Sequence, residues 1–292
     1  MAVVVWTGAT DTDANVATNW DTGVVPPTGS VILCNDQSQR SMLLNTRTAF
    51  AAKTLDWIVD RGFASNFALG TLANPIEPDV FNTILFMGNT LASCYFMANV
   101  AGAGAIARLI VNTASQKDDL VVVQNKVTQI DILSGKAAVS GAATISGRVK
   151  VAGSSGGSMA QLTVPSGCTL TGCEFYVKSG KLDISTSMET CAVDGGELLL
   201  NGSAGVSVRL EMNGGVTYWD ATSTIALAEL MSGSLKTRTD RKGRILTNCN
   251  MYGDGDADFT IGGLSLTVSN PIRCFGSNRP KFPIGAAYSA VV

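Results

Sequence analysis

Histidine is missing from all 292 residues of this chain. That excludes Ser-His-Asp and Cys-His catalysis and any histidine-ligated metal site, leaving only carboxylate, lysine, tyrosine or thiol chemistry for an enzyme. Charge is also scarce: Asp, Glu, Lys and Arg make up 15% of the residues, against roughly 25% in an ordinary soluble protein. With 21 cations and 23 anions the net charge is −2, so no electrostatic argument leads to nucleic acid or an anionic membrane. A chain that is 46% apolar with so little charge must cover its surface with Ser, Thr, Asn, Gly and Ala, or bury part of it against other subunits. We expect both.

Long apolar runs are absent too. The start, Met1-Ala2-Val3-Val4-Val5-Trp6-Thr7-Gly8, has no basic segment and too short an apolar stretch for a signal peptide. Residues 80–107 are apolar and uncharged, yet Asn82, Thr83, Asn89, Thr90, Ser93 and Asn99 interrupt them every few residues. That spacing predicts several short buried strands rather than a membrane span. The seven cysteines, Cys34, Cys94, Cys168, Cys173, Cys191, Cys249 and Cys274, are odd in number and scattered. They read as buried free thiols made in a reducing cytoplasm, not as a disulfide framework or a zinc site.

What the chain has instead is a repeated phrase, a polar residue and glycine followed by alternating apolar residues. It occurs at Ser134-Gly135-Lys136-Ala137-Ala138-Val139, Ser146-Gly147-Arg148-Val149-Lys150-Val151 and Ser179-Gly180-Lys181-Leu182-Asp183-Ile184. It returns at Asp194-Gly195-Gly196-Glu197-Leu198, Asn213-Gly214-Gly215-Val216-Thr217-Tyr218, Ser232-Gly233-Ser234-Leu235-Lys236 and Ile261-Gly262-Gly263-Leu264. A turn signal followed by period-two alternation is a corner feeding a short strand. From Gly180 to Gly196 is 16 residues, from there to Gly215 is 19, and on to Gly233 is 18. Irregular turns of this length predict strands stacked along an axis, a β-helix rather than a strict hexapeptide or calcium-nonapeptide solenoid. Inward-facing residues are expected at Ile130, Ile132, Val139, Ile145, Val149, Val151, Leu162, Val164, Leu170, Leu182 and Ile184. Further along they are expected at Leu198, Leu200, Val206, Val208, Leu210, Val216, Leu235, Ile245, Phe259, Ile261, Leu264 and Leu266. Pro26-Pro27 and the Asp, Asn and Thr density over 7–22 predict irregular backbone. Over 48–60 a short helix and a strand through Leu55, Trp57 and Val59 are equally expected.

The stretch Trp6-Thr7-Gly8, then Asn19-Trp20-Asp21-Thr22-Gly23-Val24-Val25-Pro26 and Gly29-Ser30-Val31, resembles the opening of β-helical structural proteins of tailed bacteriophages. Related openings occur in bacterial surface β-helices. A second piece, Leu55-Asp56-Trp57-Ile58-Val59, Gly62-Phe63, Leu69-Gly70 and Asn74-Pro75-Ile76, looks like the succession that follows the opening in those phage proteins. The resemblance covers roughly the first quarter of the chain by motif, and it departs at Ser30, where the family has Asp. It implies a virion part, often trimeric, of the kind that decorates a capsid or forms a fibre.

Four groups of residues carry candidate chemistry. Asp254-Gly255-Asp256-Ala257-Asp258 alternates carboxylates as a calcium loop does, but its sixth position is not Gly and its twelfth is Ser265 rather than Glu, so a solvated turn is the default. Asn112-Thr113 with Asp118-Asp119 is weakly similar to the carboxylate clusters of sugar-cleaving β-helices, and a polar corner explains it better. The aromatic residues are dispersed rather than striped. Tyr218-Trp219 is the best exposed anchor, because adjacent strand residues face opposite ways. Lys236, Arg238, Arg241, Lys242 and Arg244 form the one basic cluster, suited to an acidic partner surface and equally to a solvated loop.

The sequence therefore predicts an all-β, right-handed parallel β-helix in one structural domain. Residues 1–50 are a cap and lead-in, 51–270 the β-helix, and 271–292 an extended closing segment. Expected partners are two further copies in a homotrimer and a major capsid protein, with no nucleic acid, membrane, cofactor or metal. The expected place is the virion, after synthesis in the host cytoplasm. The expected role is a non-enzymatic capsid decoration or cement protein, with partner contacts at Tyr218, Trp219, Arg238, Arg241, Lys242 and Arg244. The alternatives are a tail fibre or tailspike that binds host polysaccharide and a bacterial surface adhesin.

Overall fold

The computed structural model describes residues 2–64, 66–88, 94–98, 104–113, 120–153, 159–239, 243–262 and 265–283. The chain divides into two compact units, Met1–Gly147 with Ser154–Ala160, and Arg148–Gly153 with Gln161–Val292. Both consist of strands paired in parallel with the strand one coil on, the β-solenoid expected from the repeated corners. Among the described residues the one α-helix, Thr46–Phe50, has five residues, and no helix is long and apolar enough to cross a membrane.

In the first unit the main ladder runs through Val3–Val5, Val31–Cys34, Thr54–Val59, Val80–Gly88, Ile106–Thr113 and Lys126–Ser134. Its first two strands lie within the segment expected to be an irregular cap, and long loops join them. Register keeps one inward row in line: Val4, Ile32, Trp57, Ile84, Leu109 and Ile130, all buried. A second ladder pairs Cys94–Met97, Leu120–Gln124 and Lys136–Val139. Over 48–60 both expectations hold in sequence, since the helix ends at Phe50 and the strand starts at Thr54.

The loops of this unit are held by rings. Trp6, Trp20, Phe50, Trp57 and Phe96 form an edge-to-face chain, with successive centroids 5.1, 6.1, 5.4 and 5.6 Å apart. Such contacts add about 0.5–1.5 kcal/mol each beyond the area they bury. Buried Asn19 organises the loop before them. Its Oδ1 accepts from the N–H groups of Thr10 and Asp11, and its Nδ2 donates to Asp11 Oδ1 and the Asp13 carbonyl. The indole N–H of Trp6 donates to the Arg40 carbonyl and that of Trp20 to the Ala14 carbonyl, each at 2.9 Å. The motif residues of the opening are thus its structural locks.

In the second unit the main ladder comprises Arg148–Ala152, Glu174–Ser179, Met188–Val193, Val206–Met212, Thr224–Leu230 and Arg244–Met251. Val149, Phe175, Cys191, Leu210, Ala228 and Cys249 stack inward in one row. The other ladder comprises Gln161–Val164, Lys181–Ile184, Glu197–Leu200, Val216–Trp219, Ser234–Lys236 and Asp256–Asp258. Full burial of each aliphatic side chain in these rows contributes about 1.5–3 kcal/mol before the cost of ordering the chain.

The corners explain the glycine pattern. Gly196 has φ +74°, and a Cβ there would lie 2.4 Å from the Gly180 carbonyl oxygen; Gly215, at φ +66°, meets the Gly196 carbonyl in the same way at 2.5 Å. At these two corners glycine is required because the coil beneath already occupies the space.

Most expected inward residues are buried, with five corrections. Val208 is 54% exposed because the ladder register shifts between Val206 and Leu210, a bulge that turns residues 207–209 outward. Val216 lies outside and Thr217 inside, since Leu198 is in register with Thr217. The buried Thr217 hydroxyl donates to Met212 Sδ at 2.9 Å. Ile245 and Ile261 are exposed, and Leu170 is half-buried. Leu264 lies outside the described residues. All seven cysteines are free thiols, and six are buried. Burial pushes the Cys249 thiol up to about 12, and Cys274 nearby adds to this.

Candidate contact surface

Strand Val216–Trp219 begins directly after Gly215, and that corner fixes which residues face out. Trp219 points inward. It is fully buried, and its Nε1 donates to Ser223 Oγ at 2.9 Å, which in turn donates to the Ala204 carbonyl at 2.6 Å. It leaves the expected set of contacts because Leu200, its register partner, is a core position. Tyr218 faces outward, as strand alternation requires.

Over the Tyr218 ring lies the Arg238 guanidinium, 4.2 Å from its centroid. Arg238 Nε and Nη2 donate to Asp220 Oδ2 at 2.9 and 2.6 Å, and the Arg238 backbone N–H donates to Asp220 Oδ1 at 3.2 Å. Asp220 is buried, so the ion pair has one screened and one solvent-facing partner. Charged hydrogen bonds to a sheltered carboxylate are the strong kind, and a cation over a ring adds about 0.5–1 kcal/mol at an exposed site. The guanidinium and the ring thus form one amphipathic plate, fixed by the Asp220 carboxylate. Lys236 stands beside Tyr218 in register, with Asp258 beyond it.

The other members of the basic cluster behave differently. Arg244 is fully buried, and its Nη1 donates to the carbonyls of Thr239 and Gly262 at 2.6 and 3.0 Å. It ties two loops together and offers nothing to a partner, which corrects its expected role. Arg241 and Lys242 lie outside the described residues. The structure therefore brings Tyr218 and Arg238 together at the surface and takes Trp219 and Arg244 into the core.

Asp220 is the residue that sequence reasoning missed. It lies 18 residues before Arg238, as Val216 lies before its register partner Ser234. Reading acid–base pairs at coil spacing would have found it. The same logic finds Arg209 on the main ladder, which grips Glu211 and, one coil on, Glu229, at 2.7 and 2.5 Å.

Of the remaining candidates, Asp254 is exposed and Asp256 pairs with Lys281 at 3.0 Å. Asp258 accepts from the hydroxyl and N–H of Thr260, which hold its carboxyl below the usual range. These three do not converge on one point, and no cluster of metal-ligating side chains occurs among the described residues. Asn112 accepts from Ser134 Oγ at 2.9 Å as part of a corner; Asp118 and Asp119 lie outside the described residues. No family model, curated protein or solved structure matches this chain.

Proposed function

We propose that this protein is a structural part of a tailed-phage virion, a capsid decoration or cement protein that docks as a homotrimer on the major capsid protein. It performs no catalytic step and needs no cofactor. The observation that carries the reading is the preassembled Tyr218–Arg238–Asp220 plate on a rigid parallel ladder. Tyrosine and arginine are among the side chains enriched at the anchoring points of protein interfaces, and here each is held by the other and by Asp220, which lowers the entropy lost on docking. Low charge and the phage-like opening support the same reading. Three copies, each making a modest contact, would hold the shell by multivalency.

The test is immunogold electron microscopy of the source particles with antibodies against the native chain. Label distributed over the head is the expected result. Label confined to the tail would replace shell docking with receptor binding, and particles without label would remove the virion reading.

A further inference from the structure

The outer face of the second unit's main ladder carries an open cleft of about 890 Å³, within the size range of small-ligand pockets. It forms where ladder pairing breaks. Strand Arg244–Met251 pairs with Leu266–Val268 up to Leu246, and pairing resumes only at Asn250 with Arg273–Cys274. Leu227, Pro271 and Phe275 give the cleft an apolar lining. Phe275 is 62% exposed and stacks on Tyr252, with centroids 4.8 Å apart and planes 10° from parallel.

Its polar groups fall into two sets. Asn248 is engaged, donating to the Ala226 carbonyl at 3.2 Å and accepting from Asn270 at 3.0 Å. Asn250 and Arg273 face each other in register, and neither side chain has a hydrogen bond or ion pair among the described residues. That is unusual in this unit, where the guanidiniums of Arg209, Arg238, Arg244 and Arg279 are all bonded.

We infer that this cleft is a docking socket for an acidic peptide segment. A carboxylate side chain of the segment bonds the Arg273 guanidinium and the Asn250 amide, and a neighbouring apolar side chain rests on Phe275 and Leu227. Charge complementarity selects the occupant, because the one charged side chain lining the cleft is a cation, Arg273, with no carboxylate partner among the described residues. A polyhydroxylated sugar needs more free polar partners than the two present. The inference rests on the proposed function only in taking the shell protein as the source of the segment.

Cys274 lines the cleft and is the one cysteine that is not buried, so its alkylation by iodoacetamide reports on occupancy. The probe is the acetylated and amidated tetrapeptide Gly-Glu-Phe-Gly, with Gly-Gln-Phe-Gly as its uncharged control. A two-point contact corresponds to a Kd of about 1–10 mM, so ~10 mM acidic peptide should slow alkylation about twofold or more while the control does not. Arg273→Gln should abolish the protection and Arg273→Lys should keep part of it, each protection being the ratio of that variant's own rates with and without peptide. Equal protection by the two peptides, or by neither, would overturn the inference. Protection by maltotriose instead would make the cleft a saccharide site and also overturn it. The assay uses the isolated chain, so peptide protection together with tail-only gold label would retain the socket and reject the shell.

Discussion

The two units solve the same problem with different materials. In the first, long loops between the early strands are pinned by Trp6, Trp20, Phe50 and Trp57 packed edge to face, and by the hydrogen bonds of a single buried asparagine. In the second, short aliphatic rows repeat coil after coil, and conformational demand shifts to glycine corners such as Gly196 and Gly215. An irregular path needs a few large side chains that each touch several segments. A regular stack needs small, repeated ones, and a backbone able to turn where the coil beneath leaves no room for a Cβ.

This contrast sets the scale of mutational effects. Trp57 is fully buried and touches the rings of Phe50, Phe81 and Phe96. Trp57→Ala should cost about 3–5 kcal/mol, at the upper end for core truncation, and Leu182→Ala about 2–4 kcal/mol, both read from urea midpoints. A larger loss at Leu182 would break the distinction between a locked and a repetitive core.

Glycine substitutions come next. Gly196→Ala meets a carbonyl at 2.4 Å, whereas Gly23, at φ +69°, has nothing within 4 Å. The first should cost more than about 2 kcal/mol and the second about 1 kcal/mol, the strain of a left-handed residue alone. Equal costs in thermal unfolding would show that stacking contributes nothing at the corner.

The smallest effects are the pH dependences, which have opposite signs in the two units. Burial raises the Glu77 carboxyl of the first unit above its usual value, partly offset by Arg47. Its stabilising contribution is therefore complete below the unfolded value near 4.5 and is lost as pH rises through the folded pKa. Asp258 of the second unit is lowered by the Thr260 hydroxyl and N–H. Its contribution is present above the unfolded value near 3.8 and is lost as pH falls through the folded pKa. Relative to wild type, Glu77→Gln should gain stability with rising pH and Asp258→Asn should lose it, each by less than about 1 kcal/mol. Melting both variants between pH 3 and 7 checks the signs, and parallel profiles would contradict them.

Where the chain repeats, its sequence is easy to read. Glycine corners followed by alternation locate many strands of the second unit, and most of the inward residues expected there are buried. Alternation fails where a strand bulges, as at Val208, and where a corner shifts parity, as at Val216 and Thr217, because neither leaves a mark in hydropathy. At the contact surface, alternation correctly separates Tyr218 from Trp219 without saying which is outside. Arg244 reads as one more surface cation, because its burial depends on the carbonyls of Thr239 and Gly262, which only the folded loops bring to it. The cleft is invisible in sequence, since Asn250 and Arg273 meet only through the register of the last coil.

Docking itself is tested most directly by co-sedimenting the purified chain with heads that lack it, comparing wild type with Arg238→Gln. Losing about 1 kcal/mol per contact is about fivefold, and three linked contacts multiply this to on the order of a hundredfold. Wild type is expected to pellet with heads, and the variant to stay in solution at the same concentration. Equal pelleting of both, or wild type that pellets with tails and not with heads, would contradict it.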